Sequence, residues 1–225
     1  LDVYMVHWPF PNYHAPGAHL SGRNPDAVPF SVEEYMSVWR QMERLVDMGL
    51  VRSIGMSNMT ITKLEQVLPL CRIKPVVLEV EINPTFQQPK LFDYCMEHEI
   101  LTIAFSPMGS PCRPERDTEP GDVVTFEMPE LIEIAKAHNC HPATICVKWA
   151  VQRGHVPIPF SIFEKEYVGN LRCTTEDFLT EEEMETLRKA DRNARLIKGK
   201  VFLWEEAKDW RDIWDGEDEW NDRQS

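Results

Sequence analysis

Five places in the chain set a polar or aromatic pair directly after a short apolar run: His7-Trp8, Ser57-Asn58, Glu79 with Glu81, Phe105-Ser106 and Phe160-Ser161. His7 is a candidate proton carrier because an imidazole titrates near neutrality, and a structural histidine is an equal reading from position alone. Ser57 and Asn58 offer a hydroxyl and an amide to a polar ligand. Taken alone they read slightly better as a cap for the helix expected from about Thr60. Glu79 and Glu81 fall on one face of a strand, as an acid/base pair or as part of an interior ion network with a basic partner. Phe105 can stack on a flat ligand or fill core. Ser106-Pro107-Met108-Gly109-Ser110 is a polar, turn-prone loop. Trp204, Trp210, Trp214 and Trp220 stand among acids, and so many aromatics are expected to pack, with a pocket mouth as one place for them. His14 and His19 sit in a loop that reads first as solvated and second as a substrate contact.

These residues must be positioned by a repeating framework. Apolar runs near residues 3, 51, 76, 101 and 155 each precede a helical pattern, so the chain reads as serial βα units with parallel strands. The expected strands are Val3–His7, Val51–Met56, Val76–Ile82, Leu101–Phe105 and Val156–Ile158. Ser31 with Glu34, and Thr180 with Glu183, have capping-box spacing, and Gly49 is a natural helix stop. Further helices are expected at Thr60–Leu70, from Pro89, at Pro129–Ala137, at Pro142–Gln152 and near Glu164–Leu171. No GxGxxG occurs, and Gly17 to Gly22 lacks the Lys-Ser/Thr of a P-loop, so a doubly wound nucleotide fold is disfavoured. A (β/α)8 barrel gathers strand-end residues on one rim, but it needs eight units and about 250 residues, and five units are visible.

Composition narrows the partners. The 225 residues carry a net charge of −13 with 43% hydrophobic residues. So acidic a chain is a poor partner for nucleic acid or an anionic membrane surface, and no apolar run has the length of a membrane helix. Small molecules or other proteins are the expected partners. The acids from Glu205 to Asp222 read as a solubilising surface. The six cysteines form no CxxC pair; Cys140-His141 with Cys146 is a weak metal pattern, and scattered thiols fit a reducing, cytosolic compartment.

The motifs together resemble the aldo-keto reductase family. Leu1-Asp2-Val3-Tyr4-Met5-Val6-His7-Trp8-Pro9 is similar to that family's fourth strand. The segment from Trp39 to Asn58, ending Arg52-Ser53-Ile54-Gly55-Met56-Ser57-Asn58, is similar to its next helix and strand. Val80-Glu81-Ile82-Asn83-Pro84, Ile103 to Ser110, and Lys148 to Ser161 follow in the family's order. The resemblance implies a (β/α)8 TIM barrel, here incomplete, with residues 1–225 as one oxidoreductase domain whose first three βα units precede Leu1. It implies an NAD(P)H-dependent enzyme that reduces an aldehyde or ketone, a sugar or a small carbonyl compound, to an alcohol. Of the family's catalytic Asp, Tyr, Lys and His, only the His has a counterpart, His7, which would orient the carbonyl and stabilise oxyanion charge. Ser57 and Asn58 would hold the nicotinamide carboxamide. Phe105 would stack on its ring, and Ser106, Met108 and Ser110 would line the pyrophosphate path. Trp8 and Trp204 would shape the substrate pocket.

Three positions depart from the family pattern. Glu79 stands where Gln is usual, and a carboxylate accepts from an amide NH2 but cannot donate to its oxygen. Phe160 replaces a Lys, and Glu166 stands near an Arg that grips the adenosine 2′-phosphate. Two lost cations and one gained acid disfavour a phosphate dianion, so NADH is expected to serve as well as NADPH or better. Ser161 and Asn170 persist at the adenosine end. The competing reading is a non-catalytic, truncated relative that acts as a binding or regulatory protein. In either case residues 1–225 alone are expected not to turn over, and open strand edges are expected to need a cover or a second copy.

Overall fold

The structure is a computed structural model that describes residues 1–11 and 26–217. His14, Gly17, His19, Gly22 and Trp220 lie outside the described residues. Five strands carry the fold: β1 (Val3–Val6), β2 (Ser53–Ser57), β3 (Val77–Glu81), β4 (Leu101–Phe105) and β5 (Val156–Pro157). They lie in one sheet in chain order, β1-β2-β3-β4-β5. Pairing is parallel, with Val3 opposite Ser53, Gly55 opposite Val77, and Ile103 opposite Val156. A doubly wound sheet reverses its strand order at a switch point. Monotonic order is instead the winding of a (β/α) barrel, here five strands of it. Gly55 is required by close approach, since a Cβ there would stand 2.9 Å from Met5 Cγ and would also strike the Val77 side chain.

Among the described residues seven α-helices connect or follow the strands: α1 (Val32–Asp47), α2 (Ile61–Val67), α3 (Pro89–Glu97), α4 (Pro129–Ala137), α5 (Pro142–Gln152), α6 (Glu164–Arg172) and α7 (Glu181–Lys189). Their starts follow side-chain chemistry. Ser31 accepts from the Glu34 amide to open α1, and Thr180 and Glu183 form a complete capping box on α7. Pro142 occupies the first turn of α5, where its missing N–H costs nothing. The expected second strand begins two residues later than its apolar run suggested, and β5 is only two residues long. The loop Pro111–Glu127 holds two short 3-10 turns, Glu115–Asp117 and Thr125–Glu127. No helix among the described residues is long and apolar enough to cross a membrane.

The chain forms two compact units. The first contains Leu1–Glu79, Lys90–Leu101 and Lys198–Ser225; the second contains Val80–Pro89 and Thr102–Ile197. In the first, α1 buries Tyr35, Met36, Trp39 and Met42, and the Trp39 indole N–H donates to the Ile73 carbonyl at 3.1 Å. A separate aromatic cluster buries Phe10, Val201, Phe202, Trp210, Ile213 and Trp214, with Trp8, Phe30, Leu203 and Trp204 packed against it. In the second unit, Leu131, Ile134, Ile145, Trp149 and Leu187 form the core. Helix α6 buries none of its residues, and it leaves Tyr167 and Leu171 exposed.

Candidate active site

In the first unit, three strand ends are knitted together at Asn58. The Asn58 backbone turns into the left-handed region, φ 56°, a conformation that Asn tolerates better than most side chains. Its backbone N–H and the Ser57 hydroxyl both donate to the Glu79 carbonyl, at 2.9 and 2.8 Å. Its side-chain amide donates to the His7 carbonyl at 2.9 Å and to Ser57 Oγ at 3.2 Å. A carbonyl can only accept, so the amide nitrogen must face His7 and the amide oxygen must face away. That oxygen, Asn58 Oδ1, is buried and has no hydrogen-bond partner among the described residues. An orphaned buried acceptor costs about 1–3 kcal/mol, which makes it a place for a donor to bind.

This geometry corrects the helix-cap reading of Ser57-Asn58. The cap of α2 is Thr60, whose hydroxyl accepts from the Lys63 amide. Ser57 and Asn58 are both buried and are spent on the ends of β1 and β3 instead. His7 also resolves: its ring is exposed, so it is not a core histidine. Glu79 is half-buried beside it. Burial raises the Glu79 carboxyl pKa, and the His7 charge partly offsets that rise.

Glu81 belongs to the second unit and is held from a distant part of the chain. It is 0% exposed, and its carboxylate accepts the backbone amides of Leu196, at 3.0 Å, and Ile197, at 2.9 Å. These backbone donors bind the buried carboxylate and anchor the chain beyond α7.

The other strand-end residues of the second unit are held less firmly. Phe105, Ser106, Met108 and Ser110 are half-buried. Ser106 takes φ 47°, and the Gly109 amide donates to its carbonyl at 2.9 Å. Gly109 itself has φ 76°, and a Cβ there would lie 2.7 Å from Thr125 Oγ1, so no other residue fits the turn. Arg113 donates twice to the Ser110 carbonyl and pairs with Asp122, which pins the end of the turn. After β5, Phe160 is 83% exposed. The Ser161 hydroxyl donates to Glu166 Oε2 at 2.5 Å and accepts from the Phe163 amide at 3.1 Å. The Asn170 carbonyl accepts from Cys173 Sγ at 3.1 Å.

Trp8 lies 4.5 Å from Phe202 and 5.6 Å from Trp214 between ring centroids, and Trp204 stacks with Phe10 at 6.4 Å. Trp204, Trp210 and Trp214 therefore do pack, in the cluster that holds Trp8 and Phe10 just after β1. The sequence reading missed what fastens them, the Lys63, Asp215 and Glu217 side chains. Two signals were present: a Lys set within the apolar face of α2, and an Asp-Gly turn after Trp214.

A five-stranded parallel sheet wound in chain order, with helices between its strands, defines an α/β protein of the (β/α)-barrel type. The model of the aldo/keto reductase family matches residues 1–192, and the chain belongs to the aldo-keto reductase family. It is 35% identical to aldo-keto reductase family 1 member A1-A of Danio rerio, over 92% of this chain and 64% of that protein. Aldo-keto reductase family 1 member A1 of Xenopus tropicalis is 36% identical over 88% of the chain and 59% of its own length. Aldo/keto reductase slr0942 of Synechocystis is 35% identical over 90% and 61%. The chain thus spans about three fifths of the length of these relatives.

Proposed function

We propose that residues 1–225 supply the His, the carboxamide cradle and the adenosine end of a nicotinamide-dependent reductase of aldehydes or ketones, acting as one domain in a cytoplasmic setting. The observation that carries this reading is Asn58 Oδ1, a buried acceptor without a partner among the described residues. It fits the NH2 of a carboxamide, and the Ser57 hydroxyl beside it fits the same group. Glu79 suits this role as well, since a half-buried carboxyl beside His7 can accept from that NH2. The six free cysteines support a reducing compartment.

When bound, the nicotinamide supplies hydride to a carbonyl carbon. His7, with its ring exposed at the end of β1, donates a hydrogen bond to the carbonyl oxygen and stabilises the charge that develops there. Trp8 and Trp204 wall the substrate. Taken by itself, the second unit offers Phe105 as a face that would stack on a flat ring, Ser106, Met108 and Ser110 as groups that would line a pyrophosphate, and Ser161 with Asn170 as groups that would contact an adenosine. Phe160 and Glu166 disfavour a 2′-phosphate. The Ser161–Glu166 hydrogen bond favours this, because it sets an acid where a dianion would need a cation. Residues 1–225 lack counterparts of the family's Asp, Tyr and Lys, so this chain alone binds cofactor without turnover.

Titration of the 225-residue chain with NADH and NADPH, followed by tryptophan fluorescence, tests both parts. The expected result is NADH affinity equal to or better than that of NADPH. A strong NADPH preference overturns the selectivity, and binding of neither cofactor overturns the cradle. Carbonyl reduction by this chain alone overturns the assignment of the proton donor to a segment outside it.

A further inference from the structure

The first unit buries an ammonium group in its aromatic cluster. Lys63 is 1% exposed, yet it stands in the first turn of α2. A buried charge is retained only where partners replace its water. Its Nζ donates to the Ile213 carbonyl at 2.8 Å and to Asp215 Oδ2 at 2.6 Å, and it lies 5.4 Å from the Phe10 ring and 5.5 Å from the Phe30 ring. The tail reaches back in kind. Asp215 and Gly216 turn through the left-handed region, φ 55° and 68°. The Thr60 hydroxyl donates to Asp215 as well, and the Glu217 carboxylate accepts the amides of Ile61, at 3.0 Å, and Thr62, at 2.7 Å. Between the fastened residues Ile213 and Asp215 sits Trp214, whose indole N–H donates to the Lys198 carbonyl at 2.9 Å and whose ring stands 5.6 Å from Trp8. A Cβ at Gly199 would lie 3.2 Å from the Trp8 ring, so the tail meets Trp8 from a second side. Trp8 adjoins His7, with ring centroids 6.2 Å apart.

We propose that Lys63 is a positioning residue: through Ile213 and Asp215 it fastens the C-terminal tail to α2, and through Trp214 it fixes the Trp8 indole beside His7. A role for Trp8 in choosing substrates rests on the reductase reading; the placement of Trp8 does not.

The test is a double-mutant cycle in the 225-residue chain, with Lys63→Met, Asp215→Leu and the double variant. Far-ultraviolet circular dichroism checks that the fold is kept. The readouts are the exciton couplet of the Trp8–Trp214 pair, assigned by its loss in Trp8→Phe, and acrylamide quenching. Each single variant is expected to abolish the couplet and to raise quenching about twofold, since a local opening exposes the indoles without global unfolding. The double variant is expected to be no worse than the poorer single, because the two side chains form one fastening. An intact couplet in Lys63→Met, or additive losses in the double variant, overturns the proposal. If Lys63→Met unfolds the chain, Asp215→Gly, which removes the carboxylate and keeps the left-handed turn, is read in its place by the same couplet, and an intact couplet there overturns the proposal. NADH titration of wild type and Lys63→Met separates the two readings. No binding by wild type sinks the reductase reading and leaves the couplet to decide the fastening. Loss of NADH affinity in step with the couplet shows a merely structural lysine and also overturns the proposal.

Discussion

The strand ends of the two units are built differently. In the first unit Ser57 and Asn58 are buried, the Ser57 hydroxyl and the Asn58 backbone and side-chain N–H groups are spent on the ends of β1, β2 and β3, and Asn58 Oδ1 has no partner among the described residues. In the second, Ser106, Met108 and Ser110 sit on a turn, and Phe160 to Glu166 run through a loop into the first turn of α6; all are half-buried or exposed and are held by local hydrogen bonds. Glu81, 0% exposed, is as deeply anchored as the first pair. A group on interlocked strand ends is pre-organised and intolerant of change, whereas a group on a turn can be exchanged at little structural cost. The departures Phe160 and Glu166 both fall on the tolerant side.

Glu81→Leu is the sharpest way to break this contrast. It orphans two buried amides at about 1–3 kcal/mol each, so urea unfolding should show a loss of several kcal/mol. A loss below about 1 kcal/mol would remove Glu81 from the anchored class. Asn58→Ala comes next. It deletes the donor to the His7 carbonyl from a residue at φ 56°, and a loss of about 1–3 kcal/mol is expected, together with loss of NADH binding. An unchanged NADH affinity would show that the cradle holds nothing.

The third test is one of pH. The His138 ring sits between Asp177, at 2.8 Å, and Glu183, at 3.0 Å, and Lys148 also pairs with Asp177. Burial opposes the His138 charge, but the hydrogen bonds to Asp177 and Glu183 prevail and raise its pKa above 6.5. The Asp177 carboxyl is lowered by the His138 hydrogen bond. That of Glu183 is lowered despite its burial, by the Thr180 backbone amide and His138. The histidine therefore stabilises the fold fully below about pH 6.5 and loses that effect as pH rises through its raised value. The carboxylates contribute above about pH 4.5 and lose their effect as pH falls through their lowered values. His138→Gln should lower the melting temperature by a few degrees at pH 6 and by less at pH 9. A pH-independent difference would dissolve the cluster as a charged one. Smallest of all, Phe160→Ala should change stability by less than about 0.5 kcal/mol, since the ring is 83% exposed. A larger loss would place Phe160 on the anchored side.

Much of this was legible in the residues. The bounds of β4, α4 and α5 follow from apolar periodicity and from Pro129 and Pro142, and the caps Ser31 and Thr180 perform as their spacing requires. The ordered motifs identified the family. The site was legible as a set of strand-end residues, but their local chemistry misled at Ser57-Asn58. A Ser-Asn pair just before a helix has the types of a cap, and nothing nearby in sequence reveals that the His7 carbonyl, 51 residues earlier, claims the Asn58 amide. Glu81 was legible as a carboxylate on β3 and illegible as an anchor, because its partner Leu196 lies 115 residues on.

The sequence by itself determined the alternation of strands and helices, the parallel winding, the helix starts and the family, because those depend on periods of two to four residues and on contiguous motifs. Tertiary structure alone decided which strand-end groups are already satisfied and which remain open. It left Asn58 Oδ1 without a partner among the described residues and joined Lys63 to Asp215 across 152 residues. The physical reason is that a polar side chain's role is set by whatever donor or acceptor the folded chain brings within about 3 Å, and chain separation does not record that distance.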